Sequence, residues 1–242
     1  MSAGTVYGLG LGPGAADLMS VRADRLLGRA AHVAYFRKAG RPGQARRIVE
    51  GLIPPGAAEH PMDYPVTTEI PFDDPRYNAA LAAFYAECTA RLRALAEAGE
   101  DVMVLCEGDP FFYGSFMHLY TRLLGVVPVE VVPGITGMSA AWTATGQPIT
   151  WGDDVLTVLP GTLPEAALLD GIRTADAVVV MKMGRHLPKL RRALAEAGRA
   201  DDAWLVEYAA MPGQKVTRLS EFPDETAPYF SIALVHGQGR RP

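Results

Sequence analysis

The sequence predicts an α/β protein made of two α/β domains with a ligand cleft between them. Strand-like apolar runs alternate with helical patterns along most of the chain, as in proteins whose helices cover a largely parallel sheet. A glycine-rich segment directly follows the first strand-like run, and Pro133-Gly134 interrupts the chain near its middle. We therefore expect one domain over residues 1–132 and a second over residues 133–242, with the ligand in the crevice between them.

The first domain is expected to begin with a strand and then to alternate. Residues 5–10 form a short apolar run ending in glycines, and residues 20–30 follow with Val21, Leu26 and Leu27 near helical spacing. By the same reasoning the sequence predicts a strand at 32–35, helices at 44–51 and 75–99, a strand at 101–106 and a helix at 114–124.

A further strand, over residues 126–132, closes the first domain. Pro128 confines this strand to a sheet edge or places itself at the strand's start. Thr136 can then cap a helix over residues 137–145, whose small residues allow close backbone packing. The second domain continues with strands at 155–159, 177–181 and 203–207, a helix at 187–197, and a β-rich, antiparallel ending at 216–235.

The composition is that of an ordinary globular chain. Its 242 residues are 49% hydrophobic and 21% charged, and no apolar run approaches the roughly 20 residues of a membrane-spanning helix. The first cationic residue is Arg22, so the basic start of a signal peptide is missing. Cys88 and Cys106 form no CxxC pair. We expect a cytoplasmic protein with no membrane association.

The overall charge does not favour a nucleic-acid partner, because 23 Lys and Arg against 27 Asp and Glu give a net charge of -4. Residues 22–47 are nevertheless locally basic, with Asp24 as the single acid. The cations of this window are Arg22, Arg25, Arg29, Arg37, Lys38, Arg41, Arg46 and Arg47. Solvated helix faces and a site for an anionic small molecule both remain open interpretations.

The glycine loop after the first strand matches a known sequence pattern but lacks two features that the pattern's function requires. Residues 10–15 match G-x-G-x-x-G/A, the dinucleotide-binding fingerprint. Pro13 lies inside the loop and has no N–H to offer a pyrophosphate, and residues 32–38 contain no acid for a ribose hydroxyl. A tight turn that binds nothing is a second interpretation of the loop taken alone.

Five segments together resemble the tetrapyrrole methylase family, S-adenosylmethionine-dependent enzymes that modify uroporphyrinogen- and precorrin-type macrocycles. They are residues 10–23 (GLGPGAADLMSVRA), 106–114 (CEGDPFFYG), 131–137 (VVPGITG), 180–184 (VMKMG) and 230–237 (FSIALVHG). The resemblance covers nearly the whole chain, in order. Residues 64–69 (YPVTTE) and 107–117 extend it, whereas Gly137 stands where family members often carry Ser or Ala.

The resemblance implies a folded-back S-adenosylmethionine in the cleft between the domains, and a homodimer. It implies that residues 107–109 and Phe112 hold the methionine portion, with Asp109 as acceptor for the ammonium group. The implied cofactor-binding residues are Pro13, Glu107, Gly108, Asp109, Phe112, Thr136, Gly137, Met183, Tyr208, Ala209 and Ile232. Two structural alternatives stay open, namely a helix-initiating turn at Asp109 and a core position for Met183.

The implied reaction requires the methyl donor and the macrocycle to be positioned correctly, and it does not require a nucleophilic side chain. Transfer of a methyl group from a sulfonium to an electron-rich meso carbon is a direct displacement, and no nucleophile–base pair is visible. The five histidines lack metal-ligand spacing, so we expect no metal, and the sequence identifies no catalytic base. A tetrapyrrole with carboxylate arms needs cations, for which Arg22, Arg37 and Lys38 are the candidates.

Two other function classes remain as alternatives at this point. One is an NAD(P)-linked oxidoreductase that uses the glycine loop, and the other is a non-catalytic tetrapyrrole carrier. Binding of NADH in place of S-adenosylhomocysteine, or macrocycle binding without turnover, would distinguish them from a methyltransferase.

Overall fold

The computed structural model describes residues 2–66 and 74–239. The chain forms two compact units, Met1–Thr136 and Gly137–Pro242, here called unit 1 and unit 2. The division falls after Thr136, four residues beyond the boundary at 132/133 expected from the sequence.

Unit 1 is built on a parallel sheet of five strands in the order β3-β2-β4-β1-β5. The strands are β1 (Val6–Gly10), β2 (His32–Lys38), β3 (Ala58–Tyr64), β4 (Val102–Cys106) and β5 (Val129–Val132). Strand β4 is buried along its whole length, because helices cover both faces of the sheet.

The helices of unit 1 divide between these two faces. They are α1 (Val21–Leu27), α2 (Gln44–Ile48), α3 (Pro75–Glu97) and α4 (Phe116–Leu123). One buried cluster combines Leu26 of α1 and Ile48 of α2 with Leu105 of β4. Another combines Leu92 of α3 and Leu119 of α4 with Val104, the neighbouring residue of the same strand. Alternate residues of β4 therefore face different helix pairs.

The strand order leaves a crevice at the carboxyl ends of β1 and β4. The chain leaves β1 toward β2 on one side, and it leaves β4 toward β5 on the other. Right-handed crossovers in opposite directions place α1 and α4 on opposite faces, as the two clusters show. The loops after β1 and β4 thus diverge, and open α/β sheets bind ligands at such a point.

Unit 2 contains a mixed sheet of five strands in the order β6-β7-β10-β8-β9. The strands are β6 (Leu156–Pro160), β7 (Ala177–Met181), β8 (Ala203–Glu207), β9 (Lys215–Arg218) and β10 (Ser231–Val235). The helices are α5 (Gly137–Ala144), α6 (Glu165–Thr174) and α7 (Leu187–Glu196). Because β10 runs antiparallel to β7 and β8, the carboxyl ends of β6, β7 and β8 share an edge with the start of β10.

The α/β class and most elements agree with the sequence prediction. The antiparallel ending is confirmed by β8, β9 and β10, and β5 begins directly after Pro128 at an edge of its sheet. Strand β3 and helix α6 were not predicted from the sequence. Strand β3 contains Pro61 and alternates charged with apolar residues, as an edge strand can, but its apolar residues are too few to mark it in the sequence.

Within the described residues, no helix combines the length and the apolar character that crossing a membrane requires.

Candidate active site

The loops after β1 and β4 are joined by backbone hydrogen bonds at the crevice. The N–H of Leu11 donates to the carbonyl of Cys106 over 2.9 Å. Gly108 donates to the carbonyl of Gly12 over 2.7 Å, and Gly12 donates back to Gly108 over 3.4 Å. Two diverging loops are therefore fixed to each other just beyond the sheet.

A third loop, after β5, packs against the first two with no room for side chains. A Cβ atom at Gly134 would lie 2.1 Å from the carbonyl oxygen of Gly108. A Cβ atom at Gly10 would lie 2.6 Å from the backbone nitrogen of Gly134. Both distances are below the 3.0 Å that real Cβ atoms keep. The close packing therefore requires glycine at position 134 and at position 10.

The side chain of Asp109, in the loop after β4, also binds the loop after β5. Its Oδ2 accepts the N–H of Gly134 over 3.0 Å, and its Oδ1 accepts the N–H of Phe111 over 2.8 Å. The helix-initiating alternative is wrong, because α4 begins at Phe116 and its N-cap residue is Ser115. Each carboxylate oxygen can still accept another hydrogen bond, so the clamp does not prevent Asp109 from binding a cationic ligand.

Backbone strain is concentrated after the strand ends. Among the described residues, the non-glycine positions with positive φ are Tyr113, Lys182, Tyr208 and Ala210. Tyr113 belongs to the loop after β4, Lys182 follows β7, and Tyr208 follows β8. Such conformations cost of order 1–3 kcal/mol each and cluster at functional sites. Gly108 also has a positive φ of 64°, which a branched residue would adopt only with strain.

Glu107 follows β4 immediately and carries an unusual carboxyl group. Its Oε1 accepts the N–H of Ala45 in α2 over 3.1 Å. Desolvation raises the pKa of Glu107 to about 7, and the hydrogen bond from Ala45 acts in the opposite direction. The residue as a whole remains exposed.

A hydroxyl cluster that was not predicted from the sequence lies near the same strand ends. Tyr64, the last residue of β3, hydrogen bonds to Ser115 through its hydroxyl, and Tyr85 of α3 donates to the same Ser115 Oγ over 3.3 Å. Phe36 stacks on Tyr64 with ring centroids 5.4 Å apart. Residues 67–69 of the YPVTTE segment lie outside the described residues.

Most of the residues implied for the second half of the chain lie together in unit 2. Ala209 and Ile232 belong to one buried cluster, and a Cβ atom at Gly137 would lie 3.5 Å from Cδ1 of Ile232. Tyr208 precedes Ala209 and donates its N–H to Phe230 over 2.7 Å. Met183 is different, because its side chain is 1% exposed and packs in the other cluster of the unit. Its side chain is therefore part of the core.

The cationic candidates do not form one cluster. Arg37 and Lys38 end β2 at the carboxyl edge, and Arg37 Nε lies 2.6 Å from Asp63 Oδ1. Arg22 pairs instead with Glu130, a residue opposite Tyr7 on the sheet. It lines a groove of about 630 Å³ along α1 with Arg25 and Arg29, among others. The locally basic window is thus spread over several surfaces of unit 1.

Replacement of Gly134 by Ala tests the glycine contact. The new methyl group would overlap the Gly108 carbonyl, so we expect Gly134→Ala to destabilise unit 1 by about 1–3 kcal/mol in urea unfolding. Gly137→Ala is the matched control, because its methyl group would meet Ile232 at 3.5 Å, an ordinary contact distance. We expect this control to change stability by no more than about 0.5 kcal/mol. Equal losses in the two variants would contradict the proposed role of the contact.

Known proteins are similar to this chain over nearly its whole length. Residues 5–222 match the family of Tetrapyrrole (Corrin/Porphyrin) Methylases. Precorrin-2 C(20)-methyltransferase of Sinorhizobium sp is 50% identical over 239 residues, 99% of this chain and 98% of that protein. Cobalt-precorrin-2 C(20)-methyltransferase of Salmonella typhimurium is 31% identical over 240 residues, 97% of each chain. Cobalamin biosynthesis protein CobIJ of Mycobacterium bovis is 44% identical over 238 residues, which are 98% of this chain and 47% of that longer protein.

Solved structures show the same fold. Uroporphyrin-III-C-methyltransferase from Thermus thermophilus has a TM-score of 0.63 and 26% identity, over 97% of this chain and 92% of that one. A structure of the enzyme from that organism complexed with S-adenosylhomocysteine has a TM-score of 0.66 and 24% identity, over 96% and 97% of the chains. With its glycine loops at the strand ends and a family match over residues 5–222, this chain belongs to the tetrapyrrole methylase family.

Proposed function

We propose that this protein transfers a methyl group from S-adenosylmethionine to the C20 meso carbon of precorrin-2, giving precorrin-3A, in cobalamin biosynthesis. The observation that carries the proposal is the 50% identity to a precorrin-2 C(20)-methyltransferase, spread over 99% of this chain. Cobalt-loaded precorrin-2 is a second candidate substrate, supported by the 31% identity to the Salmonella enzyme.

The residues of unit 1 fit the proposed methyl donor. S-Adenosylmethionine has a carboxylate that needs N–H donors and an ammonium group that needs an acceptor. The glycine loops offer a backbone surface without side chains, and Asp109 retains acceptor capacity beside them. We propose that Glu107, Gly108, Asp109 and Phe112 contact the methionine portion of the donor, and that Pro13 and Thr136 also contact the donor.

The residues of unit 2 suit an apolar ligand portion. Ala209 and Ile232 are buried with aliphatic neighbours, and Gly137 adds no side chain next to them. We propose that these residues, with Tyr208, contact the adenosine portion. Met183 keeps its place in this proposal through its backbone, because its side chain is enclosed in the core.

The protein's contribution to the reaction would be orientation. When bound, S-adenosylmethionine supplies an electrophilic methyl group. Holding two reactants in line can lower a barrier by roughly 7–11 kcal/mol, so a rigid pair of loops has a direct catalytic use. The hydrogen bonds between Gly12 and Gly108 and the clamp from Asp109 to Gly134 provide that rigidity.

The assembly and location are also proposals. We infer that the enzyme is a homodimer in the cytoplasm that binds a small tetrapyrrole rather than nucleic acid, on the basis of the family resemblance and the net charge of -4. Light scattering of the purified protein should give twice the mass of one chain. A monomeric mass would contradict the homodimer.

The direct test of the proposed function is product analysis. The enzyme should be incubated with methyl-labelled S-adenosylmethionine and, separately, with precorrin-2, cobalt-precorrin-2 and uroporphyrinogen III. We expect one methyl group to be added to precorrin-2, at C20 by NMR. Methylation of uroporphyrinogen III alone would contradict the proposal, and faster reaction of the cobalt complex would favour the second candidate. Calorimetry with NADH and S-adenosylhomocysteine tests the oxidoreductase alternative.

Alanine substitutions at Arg37 and Lys38 test the substrate-binding cations. Loss of a charge-assisted contact to a carboxylate costs roughly 1.5–3 kcal/mol, so we expect the KM for precorrin-2 to rise about ten- to hundredfold. Affinity for S-adenosylhomocysteine should not change. Arg22→Ala tests the third candidate in the same way, since its guanidinium pairs with Glu130 as that of Arg37 pairs with Asp63.

The control for this set is Arg93→Ala, which removes an exposed cation paired with Glu97 within α3. It should leave the KM unchanged. If alanine at Arg22, Arg37 and Lys38 alters the KM by less than about twofold, the basic window is a solvated surface without a role in substrate binding.

Alkylation tests the absence of a thiol nucleophile. Both cysteines are buried, and burial raises the pKa of Cys88 to about 11 and that of Cys106 still further. We expect the native enzyme to resist iodoacetamide at neutral pH and a variant with Ala at both positions to retain turnover per folded molecule. Detection of a methylated cysteine by mass spectrometry would overturn direct transfer.

A further inference from the structure

The position of Glu107 at the crevice is fixed by its neighbours along the chain. Cys106 before it ends β4, and Gly108 after it exchanges two backbone hydrogen bonds with Gly12. Glu107 is therefore attached to backbone that is held on both sides, at the point where the loops after β1 and β4 diverge. Its exposed surface keeps the residue accessible to a ligand.

The carboxyl group of Glu107 is held on one side only. Oε1 accepts the N–H of Ala45, whereas Oε2 has neither a hydrogen-bond nor an ion-pair partner among the residues that the structure describes. Two other acids near the carboxyl ends of the strands have partners for their carboxylates. Asp109 uses both oxygens to hold backbone N–H groups, and Asp63 is paired with Arg37.

Among the described residues, no cation forms an ion pair with the Glu107 carboxylate. Arg46, which lies on α2 beside Ala45, is paired with Glu59 over 2.8 Å. The thiol of Cys106 stays protonated at neutral pH, because burial raises its pKa. Desolvation brings the pKa of Glu107 to about 7, in the range where a general base is most effective at physiological pH.

We propose that Glu107 is the base that takes up the proton released from the methylated meso carbon. The inference rests on the proposed function. Once the carbon has gained its methyl group it carries a surplus hydrogen. The C–H bond breaks, its electron pair returns to the conjugated macrocycle, and the proton forms an O–H bond with Oε2. The resulting neutral carboxylic acid then loses the proton to water, which restores the carboxylate.

The first test is Glu107→Gln, which keeps an oxygen to accept from Ala45 but cannot accept a proton as a carboxylate does. We expect kcat to fall about 10²- to 10⁴-fold. The affinity for S-adenosylhomocysteine should fall by much less than kcat does, because glutamine keeps the size of the side chain and the hydrogen bond from Ala45. Glu100→Gln is the control, because Glu100 is an exposed acid just before the opposite end of β4. Its kcat should match that of the unsubstituted enzyme.

The pH profile separates a base from a merely structural residue. The carboxylate is the active form, so kcat of the unsubstituted enzyme should rise with pH through about 7. Glu107→Asp should keep a displaced acidic limb, and Glu107→Gln should lack it. Turnover of precorrin-2 by the unsubstituted enzyme together with undiminished kcat in Glu107→Gln would overturn this inference alone. No turnover by the unsubstituted enzyme would overturn it together with the proposed function.

A stability measurement gives an answer that does not depend on turnover. A carboxyl group whose pKa is raised on folding binds a proton more tightly in the folded state, so stability falls as pH rises from about 4.5 to about 7. Glu107→Gln removes this loss. Its melting temperature relative to the unsubstituted enzyme should therefore be higher at pH 8 than at pH 5. A difference that does not vary with pH would contradict the proposed base.

Discussion

The contact between the Gly108 carbonyl and Gly134 is the constraint on which the rest of unit 1 depends. The Gly108 carbonyl oxygen would lie 2.1 Å from a Cβ atom at position 134, so a side chain at this position would overlap it. The loops after β1, β4 and β5 meet at glycine backbone, and the Asp109 side chain adds a hydrogen bond from the N–H of Gly134. Glu107 and Asp109 flank Gly108, so the same contact fixes both carboxyl groups.

The sheet topology explains why this contact occurs where it does. Strands β4, β1 and β5 are adjacent and parallel, so their following loops emerge side by side. Opposite crossover directions then carry the chain from the β1 and β4 loops to different faces of the sheet. A Rossmann-type fingerprint would require N–H groups from the first loop, but Pro13 supplies none. In the proposed function, the loops after β4 and β5 supply the N–H donors instead.

The sequence predicted the features that depend on local patterning, and it failed where tertiary contacts decide. Fully apolar runs such as 102–106 identified buried strands, and Pro128 located the edge strand correctly. Strand β3 was missed because it has few apolar residues and contains Pro61. The positions implied for cofactor binding came from family resemblance, and their separate environments, such as the core position of Met183, became visible only with the packing. The hydroxyl cluster of Tyr64, Tyr85 and Ser115 joins distant segments, and no local signal marks it.

The most direct test of this account is a crystal structure with S-adenosylhomocysteine. The glycine loops should hold the methionine portion, with electron density within hydrogen-bond distance of the backbone of Gly108 and of the Asp109 carboxylate. Density confined to residues 8–15, or found only in the groove along α1, would contradict the central claim that the meeting of the three loops creates the donor site.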